Sequence, residues 1–235
     1  VILLRNLKIE AILQSPISIT RNIINFDGLI ALCVANEMGL QDTKYNPDIK
    51  LKLPIEFDNE LNLYKASCGF YFGKESTEKW YKRWDDKNTA YVDTKNKIMT
   101  GRGKYKNYAM PIKICHANKI TFFAKADKKE MQRLLDKHIY SLGKKNSQGY
   151  GIVRKWVITE IDRDNSFVFK NGNLSRQIPL ASSSLLIKNG NINLNTKQSQ
   201  NCTYIFPYWD ISKRVECFVP KVKFRSEEEF ITYIL

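Results

Sequence analysis

Histidine is scarce in this sequence, with only His116 and His138. The five cysteines, at 33, 68, 115, 202 and 217, make no CxxC or CxxH pair. Both shortages argue against a zinc site, and an odd cysteine count in a chain this long argues against a disulfide framework. No apolar run approaches the roughly eighteen residues of a membrane-crossing helix. The short apolar start Val1–Leu4, cut by Arg5, has neither the h-region nor the cleavage pattern of a signal peptide, so the expected compartment is the cytoplasm. Ser-His-Asp, HExxH and paired-carboxylate patterns are missing, as are internal repeats and low-complexity tracts. No cofactor or metal is expected.

Acidic charge is also in short supply. The 235 residues hold 24 Asp+Glu against 38 Lys+Arg, a net charge of +14, and the pI is near 9.5. A hydrophobic content of 43% with 12% aromatics supplies a core and excludes a disordered basic tail. The excess is local: residues 79–155 carry 20 basic and 6 acidic side chains, and the rest balances at 18 each. Trp80, Tyr81, Trp84, Tyr91, Tyr105, Tyr108, Tyr150 and Trp156 interleave with this charge, Trp156 reading as core. Cations that neutralise phosphates beside rings that stack bases point to nucleic acid. The plainer reading is a basic surface without a ligand.

Alternation over Leu7–Leu13 predicts a strand, ended by Ser15-Pro16. Asp27 reads as the cap of a buried helix from Gly28 to about Met38, in which Cys33 is core. Residues 41–62 read as loop, Tyr64–Phe72 as a strand, and Ser76 as the cap of a short helix through Trp84, with Trp80 and Trp84 on one face. Two strands are predicted near 108–115 and 119–126, with His116 in the turn after the first. Asp127 and Glu130 have capping-box spacing for a helix with Met131, Leu134, Leu135 and Ile139 on its apolar face and His138 at the core edge. A strand follows from Ile152 to Ile161. Asn171-Gly172 and Asn189-Gly190 signal hairpins, and Ser226 with Glu229 caps a terminal helix. The fold class is α+β with a ferredoxin-like or RRM-like core over residues 1–160. A basic insertion at about 73–106 projects from it, and a β-rich region with a short terminal helix occupies 161–235.

Two basic segments carry the functional reading. Gly143-Lys-Lys-Asn-Ser-Gln-Gly-Tyr-Gly151 combines glycines for tight turns, cations at Lys144 and Lys145, polar donors at Ser147 and Gln148, and a ring at Tyr150. Gly149 and Gly151 complete it. Its spacing matches neither the Walker loop nor the dinucleotide fingerprint. Thr100-Gly-Arg-Gly-Lys-Tyr-Lys106 reads as a finger for single-stranded RNA, or as a mobile basic loop. Metal-free RNA cleavage by His116 with Lys104, Tyr105 and Lys106 is chemically conceivable, but no spacing requires it.

At these residues the sequence resembles the RAMP superfamily of CRISPR proteins. More narrowly, it is similar to the Cas-five-type subunit of class 1 effector complexes in its type IV form. The resemblance rests on Leu7-Lys-Ile-Glu-Ala-Ile-Leu-Gln-Ser-Pro16, Phe26-Asp-Gly-Leu-Ile-Ala31, Thr100 to Lys106 with Tyr108, and Leu142 to Val153, and more weakly on Pro179 and Pro207-Tyr-Trp209. It implies a non-catalytic subunit that binds the 5′ handle of CRISPR RNA and caps the backbone filament. The family's thumb maps onto the insertion with Lys97, Arg102, Lys104, Tyr105 and Lys106, and its glycine-rich loop onto Gly143–Gly151. The implied partners are the repeated backbone subunit, a large-subunit-like protein and target DNA, with no membrane. The alternatives are a metal-independent endoribonuclease that processes repeat RNA, and a basic RNA-binding scaffold without handle preference.

Overall fold

The computed structural model describes residues 3–19, 23–40, 51–92, 98–188, 192 and 199–235. Strand β1 (Leu4–Leu13) alternates as expected, with Leu7, Ile9 and Ala11 fully buried. Helix α1 (Phe26–Glu37) follows. Its cap position is Asn25, whose side chain makes no cap bond; Asp27 lies inside the first turn and is buried. The expected Asp27 cap is therefore corrected. A deep partner, described below, takes this carboxylate away from the backbone amides.

Strand β2 (Phe57–Asp58), inside the expected 41–62 loop, forms a small antiparallel pair with β3 (Leu63–Tyr64), just past its end. The part of that loop from 41 to 50 lies outside the described residues. Strand β4 (Phe70–Lys82) replaces both the end of the predicted 64–72 strand and the predicted helix from Ser76. A cap contributes about 1 kcal/mol, too little to compete with a ladder running from Glu75↔Cys115 to Lys82↔Tyr108. The two predicted strands 108–115 and 119–126 are one, β5 (Tyr108–Asp127). It passes from β4 to β1 without a break, since β4 pairs with residues 108–121 and β1 with 119–127. His116 is consequently in mid-strand and not in a turn.

Helix α2 (Lys128–His138) begins where expected, and the Glu130 amide donates to Asp127 Oδ1 at 3.0 Å. Strand β6 (Val153–Glu160) completes a sheet in the order β4-β5-β1-β6 with every neighbour antiparallel. With α1 after β1 and α2 after β5, this is the ferredoxin-like βαββαβ arrangement. Further along are β7 (Ile178–Pro179), α3 (Ser183–Lys188), β8 (Ser199–Thr203), β9 (Arg214–Phe218), β10 (Lys223–Phe224) and α4 (Glu227–Ile234). Strands β7, β9 and β8 form a separate sheet, and β10 adds to β4 in parallel. Val168 bridges Leu174 across the Asn171-Gly172 turn; the Asn189-Gly190 hairpin lies outside the described residues. Ser226 caps α4 as expected, accepting from the Glu229 amide. Among the described residues no helix is long and apolar enough to cross a membrane.

Both faces of the main sheet are covered. On one, Phe122 meets Phe26 of α1 at 5.2 Å and Trp156 at 6.3 Å, and Trp156 is core as expected, its indole donating to Ile139 O. On the other, Phe70 and Phe123 pack on Phe169, and Phe70 stacks on Phe230 of α4 at 5.7 Å.

A buried polar cluster ties α1 to the C-terminal region. Arg176 Nη2 lies 3.6 Å from Asp27 Oδ2, with both side chains 1% exposed. The Tyr208 hydroxyl donates to Asp27 Oδ1 at 2.6 Å, and Arg176 also donates to the carbonyls of Ala66 and Tyr204. Burial, and then the neighbouring Asp27 charge, push the Tyr208 phenol well above its ordinary value.

At the surface, Glu37 joins the two helices, accepting from Arg133 at 2.6 and 2.7 Å and from Lys137 at 2.8 Å, with His138 Nε2 at 3.2 Å. These hydrogen bonds, Arg133's first, hold its carboxyl well below the ordinary 4.5. A depressed folded-state value stabilises the fold above about pH 4.5, and that contribution disappears as pH falls through the folded value. The stability gap between the native chain and Glu37→Gln should therefore be largest near neutrality and shrink in acid. Denaturant titrations between pH 7 and 3 test this, and a gap independent of pH refutes it.

Candidate nucleic-acid interface

From Ser76↔Ile114 to Lys82↔Tyr108 the β4–β5 ladder has no third strand among the described residues, so a two-stranded arm leaves the sheet. Among the described residues this arm is made of β4 and β5, with a short helical turn at Asp86–Tyr91. Isolated two-stranded ribbons are marginal in water, and this one is reinforced by its rings. Trp80 meets Tyr108 edge-on at 5.5 Å, and Trp84 meets Tyr105 at 4.7 Å. Trp80 and Trp84 thus have separate partners and do not share a helical face. At the tip, the Trp84 amide donates to Asn107 Oδ1 at 2.6 Å, the Asn107 amide to Thr100 O, and Lys82 Nζ to Lys104 O. Arg102, Lys104 and Lys106 are exposed around this turn, Tyr105 is half-buried, and Tyr108 is 40% exposed. Lys97 lies outside the described residues.

The loop after α2 is tightly wound. Lys145, Gly149 and Gly151 are left-handed, at φ of +63°, +87° and +68°, around a helical turn at Asn146–Gln148. Its amides are largely spent on the chain itself. Lys144 N donates to Ser18 O, Gly151 N to Pro16 O, Gln148 N to Lys145 O and Gly149 N to Asn146 O. The loop therefore presents side chains more than amides, with Lys144, Ser147 and Gln148 exposed. A Cβ at Gly151 would fall on the Leu142 carbonyl oxygen, whereas one at Gly149 would meet nothing within 4 Å. Alanine at Gly149 should cost about 1 kcal/mol for the left-handed backbone alone. At Gly151 the overpacking adds to this, for a total of about 2–4 kcal/mol. Thermal melts of the two variants check this; equal losses refute it.

The fold brings loop and arm together. Lys145 Nζ sits 4.8 Å over the Trp80 ring, and the Tyr150 hydroxyl donates to Glu78. That bond, then burial, raises the Tyr150 phenol. Neither contact was predicted, because reading 76–84 as a helix hid which residues face the loop. Further rings carry cations: Lys82 over Tyr108, Arg83 over Tyr81 and Lys104 over Tyr105, at 5.1 to 5.9 Å. Lys79, Lys82 and Arg83 join this surface although they fall outside the site expected from the sequence; their interleaving with Trp80, Tyr81 and Trp84 is the signal that marks them.

Much of the basic charge on the sheet and on α2 is already paired. Lys119 and Lys125 on the sheet, and Lys128, Arg133 and Lys137 on α2, hold carboxylates. Among the described residues no ion pair involves Lys79, Lys82, Arg83, Arg102, Lys104, Lys106, Lys144 or Lys145. Such a surface, interleaved with rings, suits a phosphodiester chain with unstacked bases. His116 Nε2 lies 2.9 Å from Ser76 Oγ near the root of the arm. It is eight strand residues from Tyr108, roughly 26 Å at 3.3 Å per residue. The structure therefore does not bring it to Lys104, Tyr105 and Lys106.

A family profile described as CRISPR type IV associated protein Csf3 matches residues 5–220. No curated protein matches the chain.

Proposed function

The chain belongs to the type IV CRISPR-associated Csf3 family, and on that premise we propose that it is the RNA-binding, RAMP-type subunit holding the 5′ handle of CRISPR RNA. The observation carrying this is the unpaired cationic, ring-bearing surface where the arm meets the 143–151 loop through Lys145 and Trp80. In this reading Lys79, Lys82, Arg102, Lys104 and Lys106 neutralise handle phosphates along the arm. Lys144, Lys145, Ser147 and Gln148 contact the backbone at the arm's root. Tyr105 and Tyr108 offer ring faces to unstacked bases. The subunit is non-catalytic and cytoplasmic and caps a filament of repeated backbone subunits. A large-subunit-like protein and target DNA meet the same complex.

Competition between handle RNA and a scrambled RNA of equal length tests the assignment. Handle RNA should win, and its log affinity should fall with log salt by about 0.7 per phosphate contacted. Equal competition would reduce the protein to a basic scaffold. Incubation of labelled repeat RNA in chelator should return it uncut; a discrete product would make the chain a metal-independent ribonuclease.

A further inference from the structure

A cavity of about 540 Å³ opens between the segment entering α1, strands β8 and β9 and the segment entering β10, and no residue of the arm tip or the 143–151 loop lines it. We propose that it is a nucleotide pocket that takes one unstacked nucleotide of bound RNA, an inference resting on the RNA-binding reading above.

The volume is in the range of small-ligand sites. Its wall is rich in donors: the amides of Asn25, Gln177, Gln200 and Asn201, with Arg214, Lys221 and Lys223. No carboxylate lines it, so an anionic, acceptor-rich ligand fits and a cation does not. The Cys68 thiol lies 3.3 Å from Asn25 Oδ1 and 3.2 Å from Gln177 Oε1. With both oxygens turned to the sulfur, these two amides have NH₂ groups left to offer, which suit the carbonyl and ring-nitrogen acceptors of a base edge.

The apolar part of the wall comes from Ile23, Tyr208, Val219, Pro220 and Val222. It supplies flat and aliphatic surface for the faces of a base, which a bare phosphate site would not need. The cations differ in availability. Lys221 is held by Glu229, and Lys223 by Glu75. Among the described residues Arg214 has no ion pair, and it is exposed at the rim. Arg214 is therefore the group assigned to the phosphate, with a planar fork that matches two of its oxygens.

One lining residue of the pocket, Lys223, also stands near the arm's root. Lys223 lines a second cavity of about 320 Å³ with Tyr71, Glu75 and Lys113. Tyr71 and Glu75 belong to β4 and Lys113 to β5, at the arm's root. Lys223 thus borders both cavities, so in this proposal an RNA strand leaving the arm's root at Lys113 would enter the pocket past Lys223.

The test uses the full chain with the four ribonucleoside 5′-monophosphates, and inorganic phosphate as control, followed by calorimetry or NMR. At least one mononucleotide should bind in the sub-millimolar to millimolar range. Arg214→Ala should weaken it about tenfold, and Gln200→Ala should weaken it several-fold. Both side chains are exposed, and circular dichroism checks that the variants fold. Lys144→Glu/Lys145→Glu should leave mononucleotide binding unchanged while reducing handle binding. Absence of binding, insensitivity to Arg214→Ala, or inorganic phosphate binding as well as the nucleotides would each overturn the pocket. Loss of handle preference with mononucleotide binding intact would overturn the handle reading and leave the pocket standing.

Discussion

Asp27→Ala is expected to remove about 3–5 kcal/mol of folding stability, the usual cost of stripping one partner from a buried ion pair. In a domain whose total is about 5–15 kcal/mol, that is a large share, equivalent to a fall in Tm of very roughly 6–20 °C. The magnitude follows from where the partners are. Arg176 is 1% exposed and would keep its charge with no carboxylate beside it. The Tyr208 hydroxyl would lose the acceptor it now reaches at 2.6 Å. Gly28 belongs to the same contact, since a Cβ there would come within 2.9 Å of the Tyr208 ring. Tyr208→Phe should cost less, about 1–3 kcal/mol, because it deletes one neutral donor and leaves the ion pair in place. Replacing both charges, as Asp27→Leu with Arg176→Met, should recover part of the loss. Denaturant titrations of the single and double variants measure this. A loss below about 1 kcal/mol for Asp27→Ala would show the pair to be idle.

The Asp-Gly of the Phe26-Asp-Gly-Leu stretch is thereby explained as architecture. It clamps the first helix to the C-terminal region through Arg176 and Tyr208, and lies apart from the arm and the 143–151 loop.

Lys144→Glu/Lys145→Glu should weaken handle RNA binding by roughly 100-fold to 10,000-fold at low salt, since two charge-assisted contacts of about 1.5–3 kcal/mol each are replaced by repulsion. The slope of log affinity against log salt should become shallower by about 1.4, at about 0.7 per single-strand phosphate. Folding should change little, because Lys144 is exposed and the pairing of Lys145 with Trp80 is worth about 0.5–1 kcal/mol. Trp80→Ala separates the two lysines. It removes the ring that holds Lys145 and leaves Lys144 untouched, so it should give an intermediate affinity with the salt slope intact. Unchanged binding by the double reversal across the salt series would end the assignment of the loop to RNA.

The α+β class and the basic central third were legible in the sequence. So were the start of α2, the Trp156 core position and the cap of α4, each carried by residues within a few positions of one another. Alternating Leu7, Ile9 and Ala11 define β1 wherever the strand is placed, and Asp127 with Glu130 marks a helix start by local hydrogen bonding alone. Residues 74–79, Lys-Glu-Ser-Thr-Glu-Lys, carry neither period clearly. Their strand state was decided by a ladder to residues some forty positions away, which no local pattern encodes. For the same reason β5 runs through Asn118, and Asp27 is a buried partner of Arg176 instead of a cap: each outcome depends on a neighbour distant in sequence. By itself the sequence determined the composition of the interface, its cations, rings and glycines. Only the tertiary structure decided that Lys145 rests on Trp80, that His116 stays at the arm's root, and that the arm's cations are left without carboxylates. Charge and ring content are additive properties of a chain, whereas pairing is a property of distance, and distance is set by the folded sheet.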